Sequence, residues 1–129
     1  MSVPELLDSD RFAVSRLGAR LVEASPDRIV VEMTVAPHHL DESARVSAGA
    51  LFSLADCAMS LLSNAETTAV AVATHFTMRE GPAAGATVRA VAEPELPGRA
   101  RATTWFVVVT SEDTPVASFT GTTLRVNDH

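Results

Sequence analysis

The 129-residue chain contains no lysine and no tyrosine, so its ten basic residues are all arginine. Sixteen acidic residues outnumber them and set the formal net charge at −6. Nucleic-acid binding needs a basic surface that neutralises phosphates, so this charge argues against a nucleic-acid partner. It still allows a local arginine site for a phosphorylated small molecule.

Cysteine is almost absent as well. A single residue, Cys57, excludes an internal disulfide framework and any multi-cysteine zinc or iron–sulfur site. The neighbouring His38 and His39 have no third ligand at a suitable spacing, so we expect no metal. The first residues include no basic region typical of a secretory signal, and we expect a cytoplasmic protein. Length and composition predict one globular domain over residues 1–129.

Hydrophobic periodicity predicts an α+β fold. Apolar residues at helical spacing indicate a short N-terminal helix and one long helix, whereas alternating apolar residues between turn signals indicate strands. The predicted helices span 5–17 and 46–65, and the predicted strands span 19–24, 29–36, 68–79, 87–93, 100–110 and 116–126. Short turns favour antiparallel pairing, so we expect a six-stranded sheet that wraps the long helix.

The long predicted helix contains one charged residue, Asp56. Its large apolar side chains cover a wide arc and its remaining face is small and uncharged, which predicts burial on nearly all sides. Several serines and the lack of Trp or Tyr anchors disfavour a membrane span. A buried carboxylate is costly unless it is paired. Asp56 is therefore either satisfied structurally by backbone or arginine donors, or kept reactive as a general base or nucleophile.

Residues 47–56 read Ser-Ala-Gly-Ala-Leu-Phe-Ser-Leu-Ala-Asp at the start of this helix. This segment resembles the His-Gly-Gly-x-Leu-x-x-Leu-x-Asp motif of hotdog-fold acyl-CoA thioesterases of the phenylacetate-degradation (PaaI-like) type. The entry segment 11–23, the strand–proline–strand pattern around Pro82 and the final Thr-Gly-Thr at 120–122 follow in the same order as in that family.

The resemblance implies an acyl-CoA hydrolase that releases a carboxylic acid and free coenzyme A without a further cofactor. It implies a homodimer with joined sheets and shared active sites, with pairing into a tetramer as an open possibility. Asp56 of one subunit would act as general base or nucleophile toward the thioester. The backbone N–H of Ala48, helped by Gly49, would polarise the carbonyl, as free N–H groups at a helix start can do.

The departures from the family motif concern substrate contacts. Ser47 replaces the usual His, and it either caps the helix or bonds substrate. Asp41 replaces an Asn that often precedes the catalytic Asp by fifteen residues. It is either a second carboxylate near Asp56 across the interface or a solvated loop residue. Phe52 and Met59 are predicted to line an aliphatic or aryl acyl site.

Several other residues have less specific patterns. Coenzyme A phosphates need an arginine or a helix start, and the candidates on or beside strands are Arg79, Arg89, Arg99 and Arg101, of which we favour Arg79. His75 is expected to be structural at a subunit contact, and Cys57 to be a small buried side chain. Trp105 and Phe106 are both predicted to pack in the core.

Two alternative functions stay open. The first is a catalytically weak hotdog protein that binds acyl-CoA, motivated by Ser47 and Ala48 in place of His and Gly. The second is a hydratase or dehydratase, which ranks lower because no His follows Asp56 closely.

Overall fold

A computed structural model of the chain describes residues 1–79 and 81–126. Six strands form one antiparallel sheet with the order β1-β2-β4-β5-β6-β3. The strands are β1 (Arg20–Ser25), β2 (Arg28–Thr34), β3 (Ala69–Met78), β4 (Thr87–Pro94), β5 (Ala102–Ser111) and β6 (Thr114–Arg125). Each predicted strand is present, and only the ends differ from the predicted bounds.

The long helix, α2 (Ala48–Ser63), packs on β2, β4, β5, β3 and β6 and is covered on its other side by the N-terminal segment. Ten of its sixteen residues are buried, including Leu51, Leu54 and Leu62. This helix inside a curved antiparallel sheet is the hotdog fold, so the predicted fold class is confirmed. Within the described residues, no helix is long and apolar enough to cross a bilayer.

The C-terminal end of α2 is closed by side chains from the surrounding chain. The Asn64 amide and the Asn64 backbone N–H both donate to the Ser60 carbonyl, at 2.9 and 3.0 Å. Arg99 Nη2 donates to the Leu62 carbonyl at 3.0 Å and to the Pro26 carbonyl at 2.9 Å, while its guanidinium lies 5.6 Å from the Trp105 ring centre. Arg99 therefore has a structural role at the C-terminal end of α2.

The N-terminal helix is split, which corrects the single helix predicted over 5–17. The structure has α1 (Val3–Ser9) followed by a six-residue π-helical segment (Phe12–Leu17). Asp10 ends α1, and its Oδ1 accepts the Ala13 N–H at 3.1 Å, so a polar side chain starts the second segment afresh. Leu7, Ala13 and Leu17 are buried in the common core.

Strand β3 is an edge strand that pairs only with β6 in the described chain. Most of its side chains are exposed, among them Val70, Val72 and His75. An irregularity between Ala71 and Ala73 shifts the register, so the simple alternation expected for this strand does not extend across it. An edge strand with exposed apolar side chains is a surface for pairing with another chain.

Trp105 and Phe106 point to opposite faces of β5. Trp105 is buried under α2 and its Nε1 donates to Thr123 Oγ1 at 2.8 Å, so its core prediction is confirmed. Phe106 is 47% exposed on the outer face, so its core prediction is wrong. Successive strand residues face opposite sides, and only one side of this sheet carries the helix.

Candidate active site

The first turn of α2 presents two backbone N–H groups that have no acceptor in the described chain. Ser47 is the N-cap, and its hydroxyl accepts the Ala50 N–H at 3.2 Å, so the predicted capping role is present. The Ser47 carbonyl accepts from Ala50 and Leu51. Within residues 1–79 and 81–126, nothing accepts the N–H of Ala48 or Gly49, and both residues are exposed. Two free donors at the positive end of a helix suit a negatively charged oxygen.

Two loops hold this helix start in place. The Ser47 N–H donates to the His39 carbonyl at 2.8 Å, and the Val46 N–H donates to the Pro82 carbonyl at 2.9 Å. Val46 is fully buried, and its side chain lies so close to Gly81 that an added Cβ there would meet it at 2.6 Å. The helix start is therefore preorganised before any ligand binds, as electrostatic stabilisation of an oxyanion requires.

Asp56 is half-buried and lacks a donor. Among the described residues, no side chain or backbone N–H donates to its carboxylate. The alternative that Asp56 is a structural residue satisfied by backbone or arginine donors therefore has no support within one chain. Burial raises the pKa of Asp56 above its ordinary value, and the nearby Asp10 carboxylate raises it further. A raised pKa makes the carboxylate a stronger base, which is the property a general base needs.

Asp10 is the residue that sequence reasoning missed. It follows α1 and is half-buried where the N-terminal segment packs on α2. From the sequence, we considered only Asp41 as a second carboxylate near Asp56, and only as one of two alternatives for that residue. No local pattern could identify Asp10, because 46 residues separate it from Asp56 in the sequence and only the docking of the N-terminal segment brings their charges together.

Asp41 organises its own loop within the chain. Its Oδ1 accepts the N–H groups of Ser43 and Arg45, at 2.8 and 3.3 Å, and its carbonyl accepts from Ala44, whose φ is 60°. These bonds form an Asx turn that leads into α2. Within one chain, Asp41 is therefore the loop residue that one of the two alternatives predicted.

The predicted substrate residues Phe52, Met59 and Arg79 fall in three different places. Met59 is 1% exposed and packs against Gly121 of β6, so the prediction that it contacts substrate is wrong. Phe52 is half-buried, with ring centres 5.7 Å from Phe76 and 5.3 Å from Phe119, toward the β3 edge. Arg79 is exposed at the end of β3, next to the loop that packs on Val46.

A cavity of about 440 Å³ opens beside the α2 start. It lies between the π-helical segment and the 37–39 turn. Its lining residues are Phe12, Arg16, Leu17, His38, His39, Ser47, Gly49, Ala50 and Ser53. The cavity therefore adjoins one of the two free N–H groups, that of Gly49. Cavities of this size are typical of small-molecule sites.

His38 and His39 hold the backbone of the N-terminal segment, and Cys57 is a buried thiol. His39 Nδ1 accepts the Ala36 N–H at 3.0 Å, so its Nε2 carries the proton and donates to the Arg16 carbonyl. His38 Nε2 donates to the same carbonyl at 2.9 Å. Burial raises the pKa of Cys57 to about 12, and Asp10 and Asp56 add to this, so its thiol is a poor nucleophile.

Comparison with known proteins identifies the family. A Deinococcus radiodurans protein named as a candidate esterase is 38% identical over 110 residues, which cover 84% of this chain and 75% of that protein. An Asn→Asp variant of phenylacetic acid degradation protein PaaI from Thermus thermophilus is 36% identical, with a TM-score of 0.82 over 88% of this chain and 97% of the other. The chain belongs to the PaaI-like family of hotdog-fold thioesterases.

A third comparison supports the fold of this thioesterase. A hypothetical thioesterase from Streptococcus pneumoniae, solved with coenzyme A, is 17% identical, with a TM-score of 0.84 over 95% of this chain and 98% of the other. No family model matches the sequence. Membership of the family rests on the two more similar proteins, and the sequence-based recognition of a PaaI-like thioesterase is confirmed.

Proposed function

We propose that this thioesterase hydrolyses acyl-coenzyme A at a site shared by two copies of the chain. Asp56 of one copy acts as general base or nucleophile. The Ala48 and Gly49 N–H groups of the other copy hold the thioester oxygen. Each step uses only side chains, backbone and water.

The separation of these groups along α2 carries the proposal. Asp56 lies eight positions after Ala48, which is about 12 Å along the axis at 1.5 Å per residue. An oxyanion donor and a base that act on one carbonyl must each lie roughly 3 Å from the reacting atoms. The two groups of one chain therefore cannot serve the same thioester. A second antiparallel copy, paired along the open edge of β3, supplies the missing half.

The chemistry follows from the free donors and the unpaired base. In the general-base route, Asp56 takes a proton from water as the water oxygen attacks the acyl carbon. The carbonyl oxygen becomes negative and accepts from Ala48 and Gly49. Collapse of this intermediate breaks the C–S bond, and Asp56 returns the proton to the departing thiolate. In the nucleophilic route, Asp56 itself attacks and expels the thiolate, and water then hydrolyses the resulting anhydride.

Coenzyme A as the thiol component is supported by the streptococcal thioesterase of the same fold, which was solved with it. An exposed arginine near the helix start, without a partner among the described residues, supports it as well. Arg89 pairs with Glu32 at 3.0 Å and Arg99 is used by the α2 end. Arg79 keeps its side chain exposed beside the loop that supports Val46. Arg101 is exposed too, but it lies two residues after Arg99, which contacts the other end of α2. Of the four arginines considered from the sequence, we assign Arg79 to a coenzyme phosphate.

Thiol release from a panel of aliphatic and aryl acyl-CoAs tests the function. We expect wild type to hydrolyse part of the panel and Asp56→Asn to lose roughly 10²–10⁴-fold in kcat, as for loss of an essential base. Asp41→Asn is the matched control, because it makes the same change at a carboxylate that has a role in its own loop. If wild type binds acyl-CoA but releases no thiol, the acyl-CoA-binding alternative replaces the enzyme.

Mixed dimers test the sharing of the site. Asp56→Asn and Ala48→Pro each inactivate, but a mixed dimer contains one site with an intact base and an intact donor pair. Two differently tagged chains, coexpressed and purified through both tags, should recover roughly half of the wild-type rate per dimer. No recovery would show that both groups act within one chain, against the separation along α2.

A further inference from the structure

The cavity beside α2 has an unusual charge for this chain. The protein has a net charge of −6, yet none of the nine lining residues is acidic. The lining includes one arginine, two histidines and two serines, besides the first turn of α2. A site without a carboxylate that faces a guanidinium and free N–H groups favours a negatively charged group.

Arg16 supplies the charge. Its guanidinium has no hydrogen-bond or ion-pair partner in the part of the chain that the structure describes, whereas Arg20, Arg28 and Arg89 are paired with glutamates. Its backbone is held firmly, because His38 and His39 both donate to the Arg16 carbonyl, at 2.9 and 2.6 Å. A free guanidinium on a fixed backbone can bind a carboxylate with two parallel hydrogen bonds.

Part of the cavity lining is apolar. Phe12 is 56% exposed on the same π-helical segment, one turn before Arg16, and Leu17 and Ala50 complete this side. An exposed aromatic ring at the mouth of a cavity is a contact surface for an apolar ligand. The cavity therefore offers apolar side chains for a carbon chain and a cation for a charged group on it.

We propose that this cavity binds the acyl group of the substrate and that Arg16 selects acyl groups that end in a carboxylate. The proposal rests on the proposed thioesterase function and names its substrate class: half-thioesters of dicarboxylic acids. Arg16 contacts the distal carboxylate, Phe12 packs on the methylene chain, and the thioester carbonyl lies at the α2 start. Arg16 is thus a specificity-determining residue and takes no part in the chemical steps.

A coenzyme phosphate is the other source of negative charge. The cavity that contains Arg16 also contains Gly49, so a group bound there lies close to the thioester carbonyl. The pantetheine arm separates the thioester from the phosphates by its whole length. A negatively charged group near the carbonyl therefore belongs to the acyl part.

The test compares two acyl chains of equal length, glutaryl and pentanoyl, as thioesters of coenzyme A and of N-acetylcysteamine. Wild type should prefer glutaryl by about tenfold or more in kcat/KM with both thiols, the usual gain from a hydrogen bond to a charged group. Arg16→Gln should abolish this preference, because it should lower kcat/KM for glutaryl by about tenfold or more and for pentanoyl far less. The substitution keeps the backbone carbonyl that His38 and His39 use.

Arg11→Gln is the matched control, because Arg11 is an exposed arginine next to the same segment and does not line the cavity. It should keep the glutaryl preference. Equal effects of the two variants, or a wild-type preference for pentanoyl, would overturn the proposal. If Arg16→Gln weakens both coenzyme A thioesters equally and neither N-acetylcysteamine thioester, Arg16 binds a coenzyme phosphate and the proposal is wrong.

A binding measurement separates this proposal from the proposed function. Glutaryl- and pentanoyl-coenzyme A analogues in which CH₂ replaces the thioester sulfur cannot be hydrolysed, and their affinities are measurable by calorimetry. Tighter glutaryl binding by about tenfold in wild type and not in Arg16→Gln supports the acyl site even if no thiol is released. Equal affinities in wild type reject it whatever the activity.

Discussion

The two ends of α2 differ in whether their backbone groups have hydrogen-bond partners. At the C-terminal end, Asn64 and Arg99 donate to the last carbonyls, and Arg99 also joins this end to Pro26 and Trp105. At the N-terminal end, Ser47 satisfies only the Ala50 N–H. No group in residues 1–79 and 81–126 accepts the N–H of Ala48 or Gly49, and both residues are exposed.

One end of α2 therefore contributes mainly to stability, and the other end offers groups for the reaction. Helix ends leave several backbone groups without partners inside the helix, and folding favours satisfying them. The closed end uses an arginine and an asparagine from the chain, whereas the open end exposes donors to water, a ligand or a second chain. We therefore expect substitutions that remove the open donors to change the reaction rate, and those that remove cap bonds at either end to change stability.

Of the substitutions at the two ends of α2, Ala48→Pro should have the largest effect. Proline is favoured at the first helical position, and Ser47 has ψ 151°, the conformation that precedes proline readily. The substitution removes one donor and should lower kcat by roughly 10²–10³-fold. Ala48→Gly keeps the N–H and should keep the rate. Steady-state kinetics and thermal unfolding measure both, and a large fall in Tm for the proline variant would contradict the assignment.

Arg99→Met tests the closed end. It removes two hydrogen bonds to carbonyls, an ion pair with Glu66 and the contact with Trp105. The free energy of unfolding should fall by about 2 kcal/mol, while kcat of the folded protein stays unchanged. Arg101→Met, at an exposed arginine, should change stability by about 0.5 kcal/mol or less. Urea unfolding with parallel rate assays distinguishes these outcomes, and a loss of rate at full stability would reverse our interpretation.

Ser47→Ala has an intermediate effect at the open end. Loss of the bond to the Ala50 N–H should lower the free energy of unfolding by about 1 kcal/mol, and Ser47→Thr should retain most of it. Urea unfolding of both variants measures this. If Ser47→Ala instead keeps full stability and lowers kcat/KM strongly, the hydroxyl contacts substrate, the alternative left open by the sequence.

The smallest effect concerns Asp56 and pH. Burial raises the pKa of Asp56 above 3.8 in the folded chain, so the stability that its protonated form contributes is present at acid pH and is lost as pH rises through the folded pKa. Asp56→Asn does not titrate. Its Tm relative to wild type should therefore increase between acid and neutral pH. A Tm difference that is independent of pH, or that falls, would show that Asp56 has a stabilising partner in the dimer.

Residues that a local pattern describes could be predicted well. Ser47 as the helix cap, the uncharged buried face around Asp56 and the succession of strands along the chain depend on spacing and turn residues close in sequence. The split at Asp10 and the register shift near Ala71 could not be predicted in this way, because one side-chain bond and one extra strand residue decide them.

The sequence alone determined the succession of helices and strands, the capped start of α2 and the family. Periodicity, a capping residue and a ten-residue motif are all local properties of the chain. Which residues meet was set by the packing of the folded chain. Met59 packs on Gly121, Phe106 faces outward, Asp10 approaches Asp56, and Arg16 lines the cavity beside Gly49. The contacts join residues that are far apart in the chain, and the position of Phe106 depends on which face of the sheet is covered. No local sequence pattern contains that information.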